Sequence, residues 1–298
     1  MTDLVESLLA GNEAGLARVL TLLERGGRDA DSLRGRIRPN TGRALVVGLT
    51  GPPGAGKSSL IGAMVTVLRQ AGSRVAVLAV DPSSPVSGGA VLGDRTRMGV
   101  HTCDPGVFIR SIASRGYAGG LARAVPALVD AVDAAGWDVV LLETVGSGQS
   151  DVEITEFADV AVLVSVPGLG DDLQAMKAGV LELADVLVVN KADLPGADNT
   201  ARQLERMLRL RRSDAVRPPV IRTSAERGTG VEDLVEAVGR AARTGGCGPV
   251  RRLRRELVRE AELMFARRLR DRPLDEACTA VFTGAREFED VVAELARS

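Results

Sequence analysis

The chain predicts an α/β fold, with a mostly parallel central sheet entered through a phosphate-binding loop and helical extensions at both ends. Three observations carry this expectation. Near-continuous apolar runs recur at residues 44–49, 74–80, 107–109, 138–142, 158–166, 186–189 and 220–223, the pattern of strands buried on both faces. Helical patterns at 59–71, 120–135, 172–183, 200–212 and 231–244 alternate with them, as a parallel sheet covered by crossover helices requires. Directly after the first run stands Gly51-Pro52-Pro53-Gly54-Ala55-Gly56-Lys57-Ser58, which matches G-x-x-x-x-G-K-[ST].

Composition narrows the function classes. With 298 residues and 45% hydrophobic content, the chain is long enough to bury one large core plus small appendages. A formal charge of -1 and 2% aromatic residues provide neither a cationic field nor stacking platforms for nucleic acid, which is therefore not an expected partner. Cys103, Cys247 and Cys278 are far apart and form no C-x-x-C, a usage that fits a reducing compartment. The first residues carry acids rather than a basic flank and apolar run, and no stretch reaches membrane-spanning length, so the expected location is the cytoplasm.

In chain order, Leu4, Val5, Leu8 and Leu9 form one short apolar face, and Leu16, Val19, Leu20 and Leu23 a second, with Asn12 placed to cap the second helix. Residues 26–43 are rich in Arg and Gly and read as a linker. Its basic residues Arg34, Arg36 and Arg38 suit a solvated loop or a partner-binding arm. The expected organisation is a helical extension and linker over 1–43, a nucleotide-binding domain over 44–245 and a helical C-terminal segment over 246–298.

The loop after the first strand has its own chemistry. Gly54 and Gly56 let backbone N–H groups close around phosphate, Lys57 reaches the terminal phosphates, and the Ser58 hydroxyl is a magnesium ligand. Gly51, Pro52, Pro53, Ala55 and Ser59 complete the cradle, and the helix that follows adds the positive end of its dipole. Asp81, at the end of the second strand, and Asp94, in a long Pro/Ser/Gly-rich loop, are expected on the magnesium side, directly or through water. Glu143 follows the strand over 138–142 and is expected to hold magnesium through water. Gly146 can present its N–H to the terminal phosphate and move when that phosphate leaves. Gln149 is a candidate for positioning the attacking water on position alone.

Base selection is assigned to Asn190-Lys191-Ala192-Asp193. A carboxylate at Asp193 accepts both the ring N–H and the exocyclic amine of guanine, whereas adenine presents an acceptor in place of that ring donor. Ser224 and Ala225, at the end of the last strand, supply backbone N–H groups for the guanine carbonyl. Together with the phosphate loop these residues predict a P-loop GTPase domain using GTP or GDP with magnesium.

At this point the motifs resemble a family. The phosphate loop, Asp81-Pro82-Ser83-Ser84-Pro85, Gly93-Asp94-Arg95-Thr96-Arg97-Met98, Phe108-Ile109-Arg110, Glu143-Thr144-Val145-Gly146-Ser147-Gly148-Gln149-Ser150, Gly168-Leu169-Gly170-Asp171-Asp172-Leu173-Gln174 and Asn190-Lys191-Ala192-Asp193 together resemble the methylmalonyl-CoA mutase-associated GTPases, once described as arginine/ornithine transport kinases. The match runs from about Leu4 to Ala242, with Ser147 in place of the family's usual Val and Asp151 in place of its Glu. The resemblance implies a GTP-hydrolysing chaperone that docks on an adenosylcobalamin-dependent acyl-CoA mutase, gates cofactor loading and protects or reactivates that enzyme. It also implies that the segment after Gly168 and Gly170 is a partner switch, with Asp171, Gln174 and Lys177 at three-residue spacing conveying nucleotide state to the mutase.

The C-terminal segment carries nine Arg and four acidic residues between 250 and 272, and Leu253, Leu257, Ala261, Met264 and Phe265 form a stripe at helical spacing. A second apolar set, Phe288, Val291, Val292 and Leu295, can answer it as a helical hairpin. The resemblance favours a dimerisation arm, hence a homodimer. His101 is the sole histidine, so no imidazole cluster or Ser/His/Asp triad is expected, and Trp137 reads as packing. Two other classes share the phosphate loop: a metal-insertion GTPase of the nickel and cobalt type, against which the lack of C-x-x-C and of a His-rich tract argues, and a kinase, against which Asn190–Asp193 argues.

Overall fold

The computed structural model describes residues 2–81, 101, 103–113, 124–144, 157–168, 183–209, 217–245, 249–270 and 272–297. It divides into two compact units, Met1–Arg252 and Leu253–Ser298.

The described strands of the first unit are β1 (Leu45–Thr50), β2 (Val75–Asp81), β3 (Val107–Ala113), β4 (Val139–Glu143), β5 (Val160–Ser165), β6 (Val186–Val189) and β7 (Val220–Arg222). They form one parallel sheet in the order β3-β2-β4-β1-β5-β6-β7. All seven expected strands are present, because runs of Val, Leu and Ala buried on both faces leave little alternative to a covered parallel sheet. β3 is four residues longer than the apolar run 107–109 suggests. Its continuation carries Arg110, whose guanidinium donates to Glu24 Oε1 at 2.9 Å and Thr21 Oγ1 at 3.1 Å, so an edge strand takes a charge at modest cost.

Two layers cover the sheet. On one face, α4 (Lys57–Gln70) and α7 (Val231–Gly245) bury Leu60, Ile61, Met64, Val231 and Leu234 against Val47, Leu49, Val77, Leu141 and Val162. The other face carries α1 (Thr2–Leu9), α2 (Glu13–Arg25), α3 (Arg28–Ile37) and α5 (Val125–Ala134). Leu8, Leu16, Leu20, Leu33, Ile37 and Leu128 there join one cluster with Val46, Leu78, Val140 and Leu142. α6 (Ala197–Arg209) covers Leu163, Leu187 and Val189. The N-terminal extension is thus continuous with the sheet's own core. Asn12 caps α2 as expected, its Oδ1 accepting from Gly15 N at 3.0 Å.

The linker expectation for residues 26–43 is corrected. α3 and a 3-10 turn (Arg38–Asn40) occupy most of it, with Ala30, Leu33 and Ile37 buried. Arg34 and Arg38, expected on a solvated loop or partner arm, pair with Asp130 of α5 at 3.1 and 3.3 Å. Trp137 packs as expected, with Phe108 at 5.8 Å and the Arg74 guanidinium 4.4 Å from its ring centroid.

The amino-terminal edge of the sheet is held by a repeated device. Asp138, Asp159 and Asp185 each stand one residue before a strand and exchange two hydrogen bonds with the neighbouring strand's entry. Asp138 N donates to Arg74 O while Arg74 N donates to Asp138 Oδ2 at 2.7 Å. The same pair of bonds joins Asp159 to Val46, and Asp185 to Ala161. Asp133, fully buried at the end of α5, accepts from Gly42, Arg43 and Ala44 N, which fixes the approach to β1. Arg252, buried, completes this edge by donating to Asp159 Oδ2 and, at 3.5 Å, to Asp133 Oδ2.

The second unit contains most of α8 (Pro249–Arg270), then α9 (Asp275–Phe282) and α10 (Phe288–Arg297). Both helices expected from the apolar stripes form. Leu257, Met264, Phe282 and Phe288 are exposed. No described helix is long and apolar enough to cross a membrane.

Candidate functional site

The expected nucleotide residues that lie among those described gather at the carboxyl ends of β1, β4, β6 and β7, where an open α/β sheet places its ligand. The loop after β1 begins at Gly51, whose backbone passes so close to β5 that a Cβ would lie 2.2 Å from Val164 O. It ends at Gly56, left-handed at φ 82°, where a Cβ would meet Asn190 Nδ2 at 2.6 Å. Glycine is thus required at both ends of the loop by close approach. α4 starts at Lys57, so Lys57, Ser58 and Ser59 occupy its first turn, where the positive end of the helix dipole faces the loop.

Lys57 is buried, and its Nζ donates to Gly51 O at 2.7 Å and Pro52 O at 3.2 Å. Ser58 Oγ donates to Glu143 Oε1 at 2.6 Å, both residues being buried. These are two hard oxygen donors, one from a helix start and one from a strand end, brought into contact beside the phosphate loop, a donor set that suits magnesium. Thr144, next to Glu143, and Ser165, at the end of β5, bury hydroxyls with no hydrogen-bond partner among the described residues. Thr144 entered the sequence reading only as a member of the Glu143–Gly146 motif, and Ser165 only within an apolar run, since a lone Thr or Ser at a strand end carries no spacing signal of its own.

Asn190 joins the phosphate and base sides. Its Nδ2 donates to Ala55 O at 2.9 Å, while its Oδ1 accepts from Thr223 Oγ1 and from Ala225 N, both at 3.2 Å. Thr223, expected with Ser224 and Ala225 beside the base, thus reaches the site through its hydroxyl on Asn190. Lys191 adopts a left-handed backbone at φ 55°, which non-glycine residues rarely do without a compensating role. The Ser224 hydroxyl, the backbone N–H of Asp193 itself and Arg227 hold the Asp193 carboxyl below the usual carboxylate range. Arg227 Nη2 lies 3.8 Å from Asp193 Oδ2.

Asp81 ends β2, next to β4 in the sheet, and its side chain lies outside the described residues. Asp94, Gly146, Gln149, Asp171, Gln174 and Lys177 also lie outside them. Gly168, where the expected partner switch begins, is left-handed at φ 90°.

A parallel sheet with its phosphate loop after a central strand, an acid at the end of the adjacent strand and an Asn-Lys-x-Asp turn two strands away defines a P-loop GTPase. Residues 16–278 match the family model for Methylmalonyl Co-A mutase-associated GTPase MeaB, and the chain belongs to that family. A Pyrococcus abyssi protein whose description names a GTPase is 48% identical over 240 residues, 79% of this chain and 74% of that one. The Escherichia coli GTPase ArgK is 38% identical over 247 residues, 80% and 75% of the two chains. The mouse protein described as methylmalonic aciduria type A homolog, mitochondrial, is 38% identical over 250 residues, 78% of this chain and 60% of that one. A crystal structure of a LAO/AO transport system kinase aligns with a TM-score of 0.70 at 26% identity, covering 99% of this chain and 96% of that chain. The chain is accordingly a guanine-nucleotide-binding GTP hydrolase, related to the methylmalonic aciduria type A protein.

Proposed function

We propose that this GTPase serves an adenosylcobalamin-dependent acyl-CoA mutase as a chaperone, gating cofactor loading and protecting or reactivating the enzyme. The observation that carries the reading is the Asn190 bridge, which makes one nucleotide site of the phosphate and base loops in a chain whose family is named for its mutase association. Backbone N–H groups over residues 51–59 surround the phosphates, and Lys57 exchanges its bonds to Gly51 O and Pro52 O for the terminal phosphate oxygens. Ser58 and Glu143, with Asp81 and Asp94, would hold magnesium, directly or through water, and the ion would neutralise charge developing on the terminal phosphates. Gly146 reports the terminal phosphate, and Gln149 positions the attacking water. Asn190, Lys191 and Asp193 select guanine, with Ser224 and Ala225 N–H groups on its carbonyl.

Asp171, Gln174 and Lys177 form the surface that conveys nucleotide state to the mutase, and the exposed face of Leu257 and Met264 pairs with a second copy as a homodimer. The reading places the protein in the cytoplasm, with neither nucleic acid nor membrane as partner. The test is steady-state GTP hydrolysis by the purified chain, alone and with candidate mutases. Slow intrinsic turnover that a mutase raises supports the reading, with partner-supplied groups worth roughly 10³ to 10⁵-fold in related systems. Fast turnover that no mutase alters contradicts it. Replacing Asp171, Gln174 and Lys177 together with Ala should remove stimulation while sparing intrinsic hydrolysis. Light scattering on Leu257→Asp/Met264→Asp checks the dimer, which should become monomeric.

A further inference from the structure

Asp193 must present both carboxylate oxygens to two adjacent donors of guanine, and a side chain free to rotate about its last torsion would spend binding energy on being oriented. Arg227 stands beside it, on a short turn fixed at both ends. Ser224 and Thr229 form an antiparallel bridge, with Ser224 N donating to Thr229 O at 3.0 Å, so residues 225–228 make a short closed turn. Ala225 N is fixed to Asn190 Oδ1, which ties that turn to the strand end bearing Asp193. Arg227 projects from it with 69% of its side chain exposed, and its Nη2 reaches 3.8 Å from Asp193 Oδ2, while Asp193 keeps 17% exposure.

A carboxylate offers about four lone-pair directions. An arginine 3.8 Å from Oδ2 therefore takes up at most part of them, with directions remaining on both oxygens for the ring N–H and the exocyclic amine. We propose that Arg227 is a positioning residue for base selection, holding the Asp193 carboxylate in the plane that reads guanine. Phosphate-side chemistry does not involve it, and a surface arginine with no such role would leave discrimination between bases untouched. The proposal rests on the reading of Asp193 as the guanine-selecting group.

The experiment measures GDP, IDP and XDP affinities of the full chain by calorimetry for wild type, Arg227→Ala, Arg227→Lys and Asp193→Asn. IDP lacks the exocyclic amine and so makes only one of the two bonds. Arg227→Ala should weaken GDP by up to about fivefold, the span of an exposed ion pair, and weaken IDP less, so that the GDP/IDP ratio falls. Raising the salt concentration should shrink the difference between wild type and Arg227→Ala, and Arg227→Lys should restore part of the ratio. If Asp193→Asn retains wild-type GDP affinity and gains none for XDP, the reading of Asp193 fails and Arg227 falls with it. If Asp193→Asn exchanges GDP for XDP but Arg227→Ala leaves the GDP/IDP ratio unchanged, or binds GDP more tightly, the Arg227 proposal alone is overturned.

Discussion

The two ends of the sheet use the same polar groups for opposite purposes. At the amino-terminal edge, every acid named above is closed by bonds that nothing needs to replace: Asp138, Asp159 and Asp185 each trade two bonds with a neighbouring strand, and Asp133 takes three backbone N–H groups and Arg252. At the carboxyl edge, Lys57 rests on carbonyls of its own loop and Ser58 on Glu143, groups whose better partners are a phosphate and a cation. Buried Thr144 and Ser165 hydroxyls lie at that edge as well. One edge is paired within the fold and sets stability; the other is provisionally paired and sets activity.

The largest expected effect breaks the active edge alone. Lys57→Ala should lower single-turnover GTP hydrolysis by roughly 10²-fold or more, the usual consequence of deleting a preorganised charge donor, while the urea midpoint stays near wild type. A comparable fall in stability would mean that Lys57 belongs to the scaffold.

Arg252→Ala attacks the other edge. It leaves the buried carboxylates of Asp133 and Asp159 facing one another without their shared cation, and should cost about 3–5 kcal/mol in equilibrium unfolding. GDP affinity of the folded protein should be unchanged, and a variant weakened in GDP binding but not in stability would erase the distinction between edges.

A smaller change isolates one strand-entry bond. Asp185→Ala should destabilise by about 0.5–1.5 kcal/mol, and Asp185→Asn, which keeps the acceptor for Ala161 N, should recover most of it.

The smallest effect is a pH dependence beyond both edges. The Arg69 guanidinium, then Gly106 N–H, hold the Asp104 carboxyl below its ordinary value. Because the folded value is depressed, this contribution is fully present above the unfolded value of about 3.9 and disappears as pH falls through the folded one. Urea midpoints of wild type and Asp104→Asn should therefore differ at neutral pH, and the difference should shrink as pH falls below about 3.9. A difference that does not narrow on acidification would assign the stabilisation to packing.

How legible each edge was follows from its chemistry. The active edge is built from fixed spacings around Lys57, Glu143 and Asn190, and these stand out in the sequence because phosphate and guanine dictate residue types. The stabilising edge escaped notice. Asp138-Val139, Asp159-Val160 and Asp185-Val186 do repeat, yet an acid before an apolar run reads as a turn until the strand order is known. α3 was missed because Arg28–Ile37 is polar overall and only Ala30, Leu33 and Ile37 mark its buried face; packing, not propensity, makes it a helix. Arg227 and Thr223 act through partners whose proximity depends on how β6 and β7 pair, which no local spacing encodes.

The strand-entry bonds also impose an order of assembly. Joining Ala161 to Asp185 closes a loop of 24 residues, Arg74 to Asp138 one of 64 and Val46 to Asp159 one of 113. Closure entropy grows as (3/2)RT ln n, so the widest costs about 1.4 kcal/mol more than the narrowest, a tenfold rarer encounter. During synthesis β1 emerges early, yet its first neighbour in the chain, β4, begins only at Val139. The strand that carries the phosphate loop is therefore the one that waits longest for a mate, an apolar ribbon open to wrong pairing until its last-made neighbours arrive.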